Sequence, residues 1–220
     1  MTKLVGLGPV KLAGSHLHRK VFQKFADRLG FVYFGYVDQR DDEHRLIRGL
    51  TLSPNHRDDH YTIGTYHNYD VTLCERTDTI EYSDGPRETK KWLIMAVDLH
   101  HLRDAPHVFI GQKKYSQAFY THILTKFAYF QRFIPGSTMP YAEGFGQHFV
   151  TYSSPTHFIE AERLFGGQIS ETLSQHFSDF SFELAEQVLY IYSENIRATD
   201  SLLSRMLQCA AWLASELDTK

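Results

Sequence analysis

The segment Ser53-Pro54-Asn55-His56-Arg57-Asp58-Asp59-His60 carries the densest group of side chains able to do chemistry in this chain of 220 residues. Serine followed by proline suits the N-cap and first position of a helix, so the spacing predicts one helical turn. In that turn His56 and His60 stand at i and i+4 and share a face. Two imidazoles with Asp59 as a third ligand form a donor set that zinc and other first-row metals accept. Asp58 or Glu75 would then act as base on a metal-bound water, which makes a metal-dependent hydrolase the catalytic expectation. The same residues also suit a polar connection between two strands that holds no metal, since the pattern is not HExxH.

Other reactive arrangements are missing or weaker. There is no GxSxG and no SxxK, and Cys74 and Cys209 lie in apolar segments without CxxC or Cys/His spacing, as reduced core residues do. Gly6-x-Gly8 neither follows a strand nor leads into Gly-Lys-Ser/Thr, so it is no phosphate loop. His16 and His18 fall near a predicted helix start, where i and i+2 diverge. His100, His101 and His107 flank a loop around Pro106. Glu75, Arg76 and Asp78 are expected to pair across strands with Lys90 or Lys91. A second candidate surface is PGSTMPYAEGFG, residues 135–146, with two prolines and three glycines. Long irregular connections carry function more often than core segments do, and Tyr141, Glu143 and Phe145 are its candidate binding residues.

The elements that must position these groups follow from periodicity. Leu17, Val21, Phe25 and Leu29 recur every four residues between Ser15 and Gly30, which predicts a helix with His18, Arg19, Lys20, Lys24 and Arg28 on its outer, basic side. Residues 1–14 mix glycine, proline and a few apolar positions and predict a flexible arm, leaving 15–220 as one domain. Phe31 to Val37 is apolar on both faces and predicts an inner strand. A polar tip is expected at 38–45 and extended chain at 46–52. Tyr69, Val71 and Leu73 alternate with Thr72, Cys74 and Arg76, as in a half-buried strand. After a turn at 82–86, every residue from Trp92 to Val97 is apolar, which puts this strand in the middle of a sheet.

Further on, Val108 to Gly111 predicts a strand, and Tyr115, Phe119, Ile123, Phe127, Phe130 and Ile134 predict one long aromatic helix. Phe145 to Tyr152 predicts a strand, Thr156 to Phe165 and Ile169 to Phe177 two helices parted by Gly166-Gly167, and Gln187 to Tyr192 a strand. A helix capped at Thr199 or Asp200 carries the stripe Leu202, Leu203, Met206, Leu207, Ala210, Leu213 and Leu217, as core rather than an oligomer seam. Strands dominate the front and helices the back. The fold class is therefore α+β: an antiparallel or mixed sheet with a central hairpin, covered by amphipathic helices including a long C-terminal one.

Composition narrows the partners. A formal charge of −3 with interspersed signs gives no field for a polyanion, so nucleic-acid binding is not expected. The thirteen histidines read as scattered surface or hydrogen-bonded residues rather than a pH sensor. No apolar run is long enough for a membrane span and no secretion signal is visible, so a soluble, cytoplasmic protein is expected.

The succession GLTLSPNHRDDH, YDVTLCERTDT, WLIMAVDL, PHVFIG, LYIYS and a closing helix with WLASELD resembles a group of uncharacterised bacterial domain-of-unknown-function proteins over residues 45–217. That resemblance implies the same sheet-and-helix fold and brings no activity with it. Function is accordingly expected to be that of a noncatalytic protein- or ligand-binding module, with a protein partner or homo-oligomer. The alternative is the hydrolase at 56–60. No organic cofactor is expected, and a divalent metal on His56, Asp59 and His60 is the one inorganic candidate.

Overall fold

The computed structural model describes residues 9–36, 56–80, 88–102, 104–124, 127–194 and 197–220, with side chains from His18 onward. Helix α1 (Pro9–Leu29) begins ahead of Ser15, so the part of the expected arm from Pro9 onward is helical. Its C-terminus closes as the glycine predicts. Gly30 takes φ +71°, and the Phe31 N–H donates to the Ala26 carbonyl at 2.9 Å, a Schellman-type stop. The predicted tip at 38–45, the strand at 46–52 and the turn at 82–86 lie outside the described residues.

Among the described residues nine strands form one antiparallel sheet: β1 (Val32–Gly35), β2 (Arg57–Tyr66), β3 (Tyr69–Ile80), β4 (Glu88–Asp98), β5 (Val108–Gln112), β6 (Gln131–Phe133), β7 (Phe149–Ser153), β8 (Ser181–Ala185) and β9 (Val188–Glu194). Their spatial order is β1-β2-β3-β4-β9-β8-β5-β7-β6. Strand β4, apolar at every position from Trp92 to Val97, sits well inside it, paired with β3 (Cys74 opposite Ile94) and β9 (Met95 opposite Ile191), and Trp92 through Val97 are all buried. Two hairpins close on two-residue turns, His67-Asn68 and Glu186-Gln187, whose four positive φ values are those of type I′ turns matched to sheet twist.

The helices divide between the two faces. On one face Phe22 and Phe25 of α1 join Leu203, Met206, Leu207, Ala210, Leu213 and Leu217 of α6 (Asp200–Asp218) over Leu73, Leu93, Met95 and Ile191. Each such side chain contributes roughly 1.5–3 kcal/mol when taken out of water. The α6 stripe is thus core. Its start is capped by Thr199 Oγ1, which accepts the Leu202 N–H at 3.1 Å. Its other end reaches the loop after β4, where Asp218 accepts the N–H groups of His100, His101 and Leu102 at 3.0–3.3 Å. The short helices α3 (Phe145–His148), α4 (Phe158–Phe165) and α5 (Gln168–His176) extend this layer. On the opposite face α2 (Gln117–Ile123) lays Phe119, Tyr120 and Ile123 over Trp92, Ile94, Phe109, Tyr152 and Tyr192.

Three expectations need correction. The aromatic run from Tyr115 to Ile134 is not one helix: α2 ends at Ile123, and residues 131–133 turn into the edge strand β6. The spacing of three and four was real, but β-prone aromatics that cover a sheet satisfy it equally well from an irregular path. Of the strand expected at 31–37, Val32–Gly35 form β1, which among the described residues stands at the edge of the sheet rather than inside it, and Val32, Phe34 and Tyr36 are each 56% exposed. The strand expected at 145–152 starts only at Phe149, because Phe145–His148 form α3.

Candidate functional site

The segment predicted as a helical turn is extended: Arg57–Tyr66 is β2, and Ser53–Asn55 lie outside the described residues. His56, Asp59 and His60 are not gathered into a metal-sized group. His60 instead converges with two other residues, His18 of α1 and Glu75 of β3, and one ligand atom from each lies within 4.8 Å of the others.

A bulge in β2 makes this convergence possible. Asp59 pairs with Glu75 and Thr62 with Leu73, so His60 and Tyr61 together face the single residue Cys74. The extra residue is accommodated by His60 at φ +62°, a conformation uncommon for a non-glycine residue. Tyr61 goes to the α2 face, where its hydroxyl donates to Asp58 at 2.9 Å. The His60 ring goes to the α1 face and stacks on Phe22, centroids 4.5 Å apart and planes 11° apart. His18 stands one helical turn before Phe22 and meets the His60 ring edge-on at 5.2 Å. It therefore faces the sheet, and does not belong to the solvated basic strip. The α1–β2 contact is kept close by Gly64, where any Cβ would fall about 2.1 Å from the Phe31 ring.

The electrostatics of the group are defined by its neighbours. His18 Nε2 lies 2.5 Å from Glu75 Oε2, and Lys91 Nζ donates to Glu75 Oε1 at 3.2 Å. Burial pushes the Glu75 carboxyl up, but the hydrogen bonds and charges of His18 and Lys91 outweigh it and hold the group below the ordinary range. Burial lowers the His60 pKa, opposed by the Glu75 charge and reinforced by His18. His60 Nδ1 is hydrogen-bonded to the Tyr33 hydroxyl at 2.8 Å, which orients the ring. Asp59 is engaged by Arg57 at 3.1 Å.

The remaining predicted residues have other roles. Glu75 does pair with Lys91, as expected across β3 and β4, while Lys90 pairs with Glu194 at 2.5 Å. Arg76 turns inward, fully buried, and forms a two-pronged contact with Asp58 at 2.7 and 2.6 Å. The base assignment is thereby split: Glu75 belongs to the histidine group, whereas Asp58 lies on the opposite face. The loop at 135–146 is wrapped around Glu162 of α4, which accepts from Gly136 N, Thr138 N, Met139 N and Ser137 Oγ at 2.7–3.2 Å. Its Tyr141 donates to the Glu162 carbonyl and packs on Phe145, which is buried, while Glu143 is exposed. Tyr141 and Phe145 thus brace the loop and the core.

Two open depressions, about 460 Å³ beside Gln112, Lys113 and His148 and about 310 Å³ beside Leu102, Pro106 and Leu164, are not lined by His18, His60 or Glu75. At the margin of the described sheet, Val32 and Phe34 of β1 and Tyr36 just beyond it are exposed apolar side chains. Among the described residues no helix is long and apolar enough to cross a membrane.

Together these features define an α+β protein with a wide antiparallel sheet, a two-histidine, one-carboxylate cluster at one end and an apolar edge beside it. No family model and no curated protein matches the chain. Among solved structures it is similar to the crystal structure of the mycobacterial trehalose monomycolate transport factor A, TtfA. The TM-score is 0.62 at 10% identity, covering 91% of this chain and 94% of that one, a likeness of fold.

Proposed function

We propose that this chain is a noncatalytic protein-binding module whose contact surface is the β1 margin. The observation that carries it is a group of three large apolar side chains, each 56% exposed: Val32 and Phe34 at alternate positions of β1, which among the described residues is paired on one side only, and Tyr36 just past its end. Natural edge strands are usually blunted by charge, proline or a covering element, because an apolar edge invites pairing with another polypeptide. The chemistry fits a partner that lays an extended apolar segment beside β1, with main-chain hydrogen bonds for affinity and side-chain contacts for choice. A fold shared with a protein named as a transport factor is compatible with such a role.

Photo-crosslinking tests this. Phe34→p-benzoylphenylalanine is compared in extracts of the source cells with the same replacement at Glu171, an exposed position on α5. Support is a discrete adduct from position 34 that disappears with Val32→Lys and Tyr36→Lys, or a concentration-dependent dimer in sedimentation that the same changes abolish. Identical adducts from both positions together with a strictly monomeric protein would overturn it.

Metal-dependent hydrolysis is the second reading, now resting on His18, His60 and Glu75. It ranks behind binding because Lys91 engages the carboxylate that would serve as ligand or base.

A further inference from the structure

We propose that His18, His60 and Glu75 form a binding site for one divalent first-row metal ion, with zinc the best-matched candidate. The three residues come from three separate elements, α1, the β2 bulge and β3, and bring one ligand atom each to within 4.8 Å. Two imidazoles and one carboxylate are a zinc ligand set that leaves a fourth position for water or an incoming donor. The proposal stands independently of the protein-binding role of the β1 row.

Several features set this group apart from an ordinary surface ion pair. His60 occupies a sparsely populated backbone conformation, φ +62°, and the bulge that produces it aims the ring at His18 and Glu75. Tyr33 holds Nδ1 of His60, which leaves Nε2 to coordinate; a hydrogen bond to the non-ligating nitrogen is the usual way a protein sets a metal-binding imidazole. Phe22 stacks on the same ring and fixes its plane. Glu75 and His18 are half to fully buried, with side chains 8% and 17% exposed, so a bound ion would be shielded from bulk water on most sides.

The present spacing accommodates an ion with small side-chain movements. Ligand atoms about 2.0–2.2 Å from a tetrahedral zinc lie roughly 3.4 Å from one another. His18 Nε2 and Glu75 Oε2, now 2.5 Å apart, would separate by about 1 Å. The hydrogen bond between them would be given up, His18 turning the Nε2 lone pair to the ion. Lys91 contacts the other carboxylate oxygen, Oε1, which leaves Oε2 as the oxygen offered to the ion. Arg19, over the Tyr33 ring, and Asp59, opposite Glu75, are the other charges around the group.

The test uses the full chain without an affinity tag, stripped by a chelator. Zinc is titrated against a chromophoric competitor, and cobalt(II) is followed by its visible absorption. One equivalent is expected, with the intense visible band of four-coordinate cobalt. His18→Gln, His60→Asn and Glu75→Gln should each weaken zinc at least about tenfold, Tyr33→Phe should weaken it less, and His56→Gln should leave it unchanged. Asparagine is chosen at 60 because it tolerates positive φ. His18→Gln, on the helix, is the variant least able to disturb folding, and unchanged circular dichroism verifies this. Wild-type protein that takes up no stoichiometric zinc, or His18→Gln and His60→Asn variants that fold and bind as wild type does, would overturn the proposal.

Discussion

At the scale of single residues, the sheet holds a buried ion pair whose removal is expected to be costly. Arg76 and Asp58 have no exposed side-chain surface, and Asp58 also accepts from Tyr61. Arg76→Met leaves a carboxylate buried without its counter-ion, and urea denaturation should show a loss of about 3–5 kcal/mol. Adding Asp58→Leu should restore much of that loss, because an apolar pair needs no desolvation of charge. Glu162 supplies a pH dependence. Burial raises its pKa, but the N–H groups of Thr138, Gly136 and Met139 and the Ser137 hydroxyl prevail and hold it at about 2, below the ordinary 4.5. A depressed carboxyl stabilises the fold fully above its unfolded value and loses that contribution as pH falls toward the folded one. The acid-side loss of stability between about pH 4.5 and 2 should therefore be shallower in Glu162→Gln, which at pH 7 should be less stable than wild type. His60 was legible as a reactive residue from HRDDH and Glu75 as a carboxylate serving the same site, but His18 was not legible as their partner. His18 and Glu75 lie 42 positions before and 15 after it, and only folding brings them together.

Elements were legible where burial leaves a simple pattern. The run WLIMAV is apolar at every position because both faces of β4 are covered, and the stripe of α6 keeps helical period because one face meets the sheet. The strand at 31–37 shows the limit of the same logic. An apolar run signals extended chain, yet it does not say whether a neighbour lies on each side, and here two of the bulky residues and Tyr36 face outward. The aromatic stretch after Tyr115 failed for a related reason: covering a sheet needs apolar atoms at the right places, not a continuous helix. The β8 strand was missed because its alternation SFELA is too short to stand out, although the turn at Glu186-Gln187 leads directly from it. The placement of α1 offers a prediction at this scale. Gly64→Val would drive the Phe31 ring out of its seat, and thermal unfolding should report about 1–3 kcal/mol of destabilisation from overpacking. Thr199→Ala should cost about 1 kcal/mol by removing the cap of α6.

Across the whole molecule the sheet divides the interior into two apolar layers, one under α1 and α6 and the other under α2. The two cysteines report on them separately, since Cys74 belongs to the α2 layer and Cys209 to the α6 layer, and both are fully buried. Burial also raises both thiol pKa values, so neither is an activated thiolate. A thiol reagent should leave both untouched in the native protein and label both at one common rate if the sheet opens as a unit. Separate labelling of Cys209 would mark α6 as a region that opens by itself.

Asp218 gives the last turn of α6 an importance out of proportion to its position. Because its carboxylate fastens three successive amides immediately beyond β4, the rear of the polypeptide acts as a latch on the segment leaving its middle. Asp218→Ala should loosen amide exchange at 100–102 first, far from the substitution in sequence.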